Sequence, residues 1–360
     1  MTFSFSDLLT LAALTAMLGA AVRIATPLLL AALGEAVSER AGVLNVGIEG
    51  IMALGALTGF VFAYWSGGLW VGFAAALVVG AIAGLAFGVL TVLWGADQVA
   101  TGIVANLFCL GLASLVYRSL FTGARVIPSI KNMPPYRLPF LSNIDYIGRA
   151  LFSQTAITYI AFLMVPACWF LLQRTVWGLN VRAVGENPAA VDTAGLDVWH
   201  LRLAAVTVGG AFAGVAGATL SIAQLGAYLD NMTAGRGFVA LAVVVFGGWN
   251  PWRIAGACLI FGAAEALQLR MQAMGIPVPS ALLTAVPYVL TIVVITIFAG
   301  TASYPAAMNQ PYLRRAKRAP LSTAGVSADS DVAAPITASS QSATDRIAVS
   351  ALQTSKGTRP

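Results

Sequence analysis

The sequence predicts an all-α polytopic membrane protein, and three observations carry that prediction. Apolar residues make up 59% of the 360 positions and charged ones only 9%; soluble domains run at ~45–50% and ~25%, so this chain has too little charge to cover a water-exposed surface. The apolar residues fall into runs at about 8–34, 46–64, 69–94, 98–121, 153–173, 201–224, 237–248, 254–272 and 281–299. Most reach the ~20 residues that a crossing helix needs. Between two of them lies QRTVWGLNVRAVGENPAAVDTAGLDVWHLRL, residues 173–203, the one internal stretch where several charges of both signs gather.

Taken in order, residues 1 to 22 hold no Lys or Arg, so the charged start of a cleavable signal peptide is missing and the first span is expected to stay. Gly80, Gly84 and Gly88 form a small-xxx-small row, as do Gly210 and Gly214, a pattern suited to close helix packing in lipid. The loop 122–152 carries Pro128, Pro134, Pro135 and Pro139 and reads as irregular structure. The run 237–248 is too short to cross alone and reads as a broken or re-entrant helix, tolerated where its ends are buried in protein. Counted as a crossing, it brings the total to about nine transmembrane helices and puts the chain ends on opposite sides.

Arg40, Arg174, Arg182, Arg202 and Arg253 then share a side with the basic cluster Arg314, Arg315, Lys317 and Arg318. That bias predicts the N-terminus outside and the C-terminus in the cytoplasm. The net charge of +6 is thereby accounted for by topology, and no nucleic-acid partner is expected. Residues 1–301 read as the transmembrane domain and 302–360, rich in Ser, Thr, Ala and Gly, as a disordered cytoplasmic tail. Cys109, Cys168 and Cys258 all fall inside apolar runs without metal or redox spacing and read as buried thiols.

Within the 173–203 island a short helix is expected. Asn187 can cap it, Pro188 is preset for its first turn, and AAVDTA propagates until Gly195. A helix this short is unstable alone and too polar to cross lipid, which leaves a docking element on the membrane surface or an ordinary interhelical loop.

Polar groups inside the apolar runs need a partner, a cavity or a function. Glu265 lies about 11 residues into its span, roughly 16 Å deep, with Gln268 and Gln272 following on one stripe. Arg23 sits at a similar depth in the first span, so Arg23 and Glu265 are expected to form a buried ion pair, either holding helices in register or lining the pathway. Gln98, Gly102 and Asn106 recur every four residues, a face suited to a polar solute or to helix-to-helix hydrogen bonds. Glu49, at the start of the second span, reads first as a cap and second as a pathway group. Gln224 and Tyr228 precede Gly235-Arg236-Gly237, where two glycines free the backbone to present donors to a ligand or to form an interfacial anchor. His200 reads as a cap or a snorkelling group.

No P-loop, no zinc-protease motif and no G-x-S-x-G elbow occurs. ATP hydrolysis is therefore expected elsewhere, with no cofactor or metal site here, and transport of a small-molecule solute across the bilayer is the economical reading. An ATP-independent transporter using Glu265 as a proton-coupling carboxylate is the alternative.

Thr26-Pro27-Leu28-Leu29-Leu30, SERAGVLNVGIEGIMALGA at 38–56, ADQVATGIVANL at 96–107, VRAVGENPAAVDTAGLDV at 181–198, NMTAGRGFVALAVVVFGGWNP at 231–251 and FGAAEALQLRMQ at 261–272 together resemble, in the same order, bacterial ABC-importer permeases of the branched-chain amino acid, ribose and nucleoside group. The nucleoside or simple-sugar branch is the most similar. The resemblance implies the ABC-importer permease fold in a bacterial cytoplasmic (inner) membrane, with a cytoplasmic ATP-binding cassette ATPase, a second related permease subunit in a heterodimer, and an extracytoplasmic solute-binding lipoprotein. It further implies that Gly185, Glu186, Asn187, Pro188, Ala189, Ala190, Asp192, Ala194, Gly195 and Leu196 belong to the ATPase-coupling element; Arg182, with Glu186 and Asp192, is expected to pair with the rim of the ATPase groove, and the 181–198 stretch is expected to act as a rigid lever. The extension beyond about residue 310 departs from the family pattern.

Overall fold

A computed structural model describes residues 11–122, 128–137, 151–274 and 304–312, together with 279, 282, 285, 289 and 293 singly. Met1–Arg314 forms one compact unit; Arg315–Pro360 lies wholly outside the described residues, as does the apolar run 281–299 apart from four positions.

The bundle is built on α1 (Leu11–Arg40), which packs against helices from both halves of the chain. Leu28 to Leu33 are each at most 2% exposed, so this stretch is apolar on every side because every side is covered. Pro27 lies inside the helix. Proline has no N–H to give the carbonyl four residues back, which is that of Arg23, and Gln224 Nε2 donates to that carbonyl at 2.9 Å instead. The apolar pattern ends at residue 34, yet the helix runs to Arg40. Its buried carboxylates find donors: Asn45 N on Glu35 Oε1 at 2.8 Å and Trp249 Nε1 on Glu39 Oε2 at 2.5 Å.

Next come α2 (Ile48–Ser66), α3 (Leu69–Gly88, extended by a π-turn to Leu93) and α4 (Gln98–Leu120). Two three-residue strands, β1 (Pro135–Arg137) and β2 (Ser153–Thr155), pair antiparallel. Then follow α5 (Ala156–Arg174), α6 (Val176–Glu186), α7 (Pro188–Thr193), α8 (Val198–Ala218, with a π-turn to Leu225), α9 (Arg236–Phe246) and α10 (Pro251–Ala273). Among the described residues seven helices are long and apolar enough to cross a membrane, with α9 a shorter apolar one.

The two glycine rows meet each other. A methyl group on Gly80 would strike the Gly210 carbonyl, and one on Gly84 would lie 2.8 Å from the Val206 carbonyl. Backbone therefore rests on backbone along the α3–α8 seam. Helix α2 closes on α8 in the same way, with Gly55 against Gly214 and Gly217 against Met52.

The disordered tail expected from residue 302 does not describe residues 304–312. This segment turns across the end of the bundle where α1 finishes and α8 begins, with Ala307 N on Gly185 O at 2.8 Å and Asn309 N on Gly42 O at 3.2 Å.

Candidate functional site

Helix α9 starts inside the protein. Gly235 takes φ +83 and Ala234 φ 47, a left-handed pair that glycine allows cheaply and alanine only under constraint. The chain thereby turns its first helical amides toward Glu49, whose Oε1 accepts from Gly235 N at 2.7 Å and Oε2 from Gly237 N at 2.6 Å. A carboxylate across a helix start answers both the orphan donors and the dipole. Glu49 thus caps α9 rather than its own helix. Arg236, between the two glycines, reaches Glu265 on α10 at 2.5 Å, with side chains only 22% and 17% exposed.

The expected Arg23–Glu265 pair is therefore corrected to Arg236–Glu265: equal depth in two helices does not fix which faces meet. The pairing also occupies the carboxylate that a proton-coupled reading would use. Gln268, one turn beyond Glu265, is buried.

The four-residue face on α4 makes hydrogen bonds between segments. Gln98 Oε1 accepts from Leu44 N at 2.8 Å, while Asn106 Oδ1 accepts from Gly50 N at 2.7 Å and its Nδ2 donates to Val46 O at 2.8 Å. Of the two roles open to that face, these bonds supply the helix-to-helix one. Tyr228 is buried 4.8 Å from the ring of Tyr117; burial, with Asp230 nearby, pushes its phenol up to about 12.

Arg23 and Gln224 instead share a cavity of about 280 Å³ with Thr26, Thr155, Thr158 and Thr219, between α1, α5, the end of α8 and α10. Three of its threonines are linked: Thr26 Oγ1 donates to Thr158 Oγ1 at 3.2 Å, which lies 3.1 Å from Thr155 Oγ1. Among the described residues no carboxylate lines it. Hydroxyl, amide and guanidinium groups suit a neutral, acceptor-rich solute.

At the α1-terminal end of the bundle the 173–203 island folds into two helices. Thr175 Oγ1 accepts from Gly178 N at 3.0 Å to start α6, a helix the sequence reading missed because it is short and amphipathic. Asn187 Oδ1 accepts from Ala190 N at 3.1 Å to start α7 behind Pro188. Gly195 at φ +84 and Leu196 N on Val191 O at 3.2 Å end it, as a left-handed C-cap does. Val184, Val191 and Val198 form an apolar foot beneath, while Ala189, Ala190, Ala194 and Leu196 are exposed.

The other residues assigned to this element face different ways. Gly185 is buried where a methyl group would meet the Arg40 carbonyl. Arg182 is half-buried, with its Nε unpartnered. Glu186 Oε2 accepts from Ala306 N at 3.4 Å and Asp192 Oδ2 from Tyr312 Oη at 3.1 Å. Asp197 caps α8 through His200 N at 3.0 Å.

Two buried groups at this end are not marked as sites by the sequence. Trp249, 1% exposed and at φ 55, joins Glu39 to Tyr304, whose ring stands edge-on 5.2 Å away. Arg202, also 1% exposed, donates from Nη1 to Gln310 O at 2.8 Å and from Nη2 to Ala307 O at 3.4 Å. An arginine one turn into a span was the available signal; the positive φ of Trp249 shows only in the structure.

Residues 16–295 match the family model described as branched-chain amino acid transport system / permease component. The chain is 41% identical over 264 residues to TsgC13 of Haloferax volcanii, provisionally named a glucose ABC transporter permease, covering 72% of this chain and 79% of that one. It is 33% identical to the guanosine ABC transporter permease NupQ of Bacillus subtilis, over 81% and 94% of the two chains. It is 35% identical to the nucleoside ABC transporter permease NupC of Lactococcus lactis, over 80% and 94%. No solved structure matches. Permeases of this kind are transport subunits that act with an ATPase and a binding protein. The chain belongs to the branched-chain amino acid transport system permease-component family, as a multi-pass inner-membrane permease subunit of an ABC transporter.

Proposed function

We propose that this subunit imports a nucleoside or simple sugar, delivered by an extracytoplasmic lipoprotein, through a heterodimer with a second related permease. The observation that carries the solute class is the threonine-lined cavity between α1, α5, α8 and α10, with Arg23 and Gln224 and, among the described residues, no carboxylate. The names of NupQ, NupC and TsgC13 point the same way. In this reading the N-terminus is outside, and the face formed by α6, α7 and the start of α8 is cytoplasmic. The ATPase seats on exposed Ala189, Ala190 and Ala194, and ATP-driven closure moves the 181–198 element as a lever that switches the cavity between the two sides.

Ala190→Glu tests the seat. ATP hydrolysis should continue while uptake of labelled guanosine or glucose falls, and normal uptake counts against it. Binding of a nucleoside and sugar panel to the partner lipoprotein tests the solute; amino acids alone binding would overturn the assignment.

A further inference from the structure

The segment Tyr304–Tyr312 lies beyond the family-matched stretch, which ends at residue 295, and yet it touches every part of the coupling end. Ala307 N donates to Gly185 O and Ala306 N to Glu186 Oε2, both at the end of α6. Tyr312 Oη donates to Asp192 Oδ2 on α7 at 3.1 Å. Asn309 N holds the Gly42 carbonyl just past α1, and Tyr304 stacks edge-on with Trp249 just past α9.

Its firmest attachment is to Arg202. A guanidinium that is 1% exposed needs acceptors, because an unmatched buried cation costs far more than a lost neutral hydrogen bond. Among the described residues, the acceptors it has are the carbonyls of Ala307 and Gln310. Gly42, at φ +83, makes room: a methyl group there would lie 3.0 Å from both Arg202 Nη2 and Ala307 O. Arg202 and the segment thus complete each other, and the segment in turn ties α6 and α7 to the ends of α1 and α8.

We propose that Tyr304–Tyr312 is a positioning strap that fixes the coupling element against the bundle, with Arg202 and Tyr312 as positioning residues for transport. A lever transmits a displacement only if its root does not give. The strap spans that root, from the C-terminus of α6 to Asp192 on α7, and holds it to α8 by way of Arg202. The proposal rests on the reading that the 181–198 element receives the ATPase.

The test uses the whole transporter in lipid nanodiscs and in liposomes, with Tyr312→Phe, Ala307→Pro and Ala190→Glu compared with wild type. Hydrogen–deuterium exchange at the amides of Ala190, Ala194 and Leu196 reads the fixing, and uptake of labelled guanosine per ATP hydrolysed reads the transmission. Removing one hydrogen bond from the strap should raise exchange there by about fivefold and lower uptake per ATP, with the ATPase still bound and the melting temperature of the complex unchanged. Unchanged exchange and unchanged uptake per ATP in Tyr312→Phe overturn the strap, and that variant decides alone if Ala307→Pro fails to accumulate. Ala190→Glu separates the two readings: full uptake in that variant, alongside faster exchange in Tyr312→Phe, sinks the docking assignment and leaves the strap as a local clamp.

Discussion

Glu49 Oε2 lies 2.6 Å from the amide nitrogen of Gly237, so a carboxylate on the second helix holds the start of a helix nearly 190 positions later. Glu49→Ala leaves the amides of Gly235 and Gly237 without their acceptor, at a cost of about 1–3 kcal/mol each. Thermal unfolding in detergent should show a large loss for Ala and a smaller one for Gln, which keeps one acceptor oxygen. Equal stability of all three would refute the cap.

The Arg236–Glu265 pair is largely buried, so removing one member should cost more than removing both. An unpaired buried charge is worth about 3–5 kcal/mol of destabilisation. Glu265→Leu should therefore accumulate poorly in membranes, and adding Arg236→Met should restore much of the loss. A double variant worse than either single one contradicts the pairing.

Gly210→Ala should separate α3 from α8, because the added carbon meets the Gly80 carbonyl. Gly111 and Gly256, where a methyl group meets nothing within 4 Å, should accept alanine without loss. Membrane accumulation of the three variants compares them directly.

Asp197 is held below the usual carboxylate range, first by the His200 amide and then by the His200 side chain. A depressed pKa contributes stability above the group's ordinary value, 3.8, and loses it as pH falls through the lower folded value. Asp197→Asn should thus loosen the first turn of α8 at pH 7, and the difference should shrink as pH falls below 3.8. Amide exchange at His200 is the measurement; a difference that does not shrink with falling pH would exclude this origin.

Runs and caps could be read from residue types, because apolar length, Asn187-Pro188 and the two glycine rows each express a local rule. Partners could not. Arg23 and Arg236 looked equally able to meet Glu265, since the sequence indicates depth along a helix but not its rotation about its axis. The α4 face was visible as Gln98, Gly102 and Asn106, yet whether it met solute or backbone depended on where residues 44–50 lay. The strap was hidden for another reason. Most of its bonds use main-chain N–H and C=O groups, which every residue type carries alike.

Helix α9 has eleven residues, about 16 Å at 1.5 Å each, or half of the ~30 Å hydrocarbon thickness. Residues 226–235, which precede it, are turns and bends rather than helix. A cysteine-by-cysteine alkylation profile over 226–246 should divide in two, with a ragged, reagent-accessible half ending sharply at the carboxylate of Glu49.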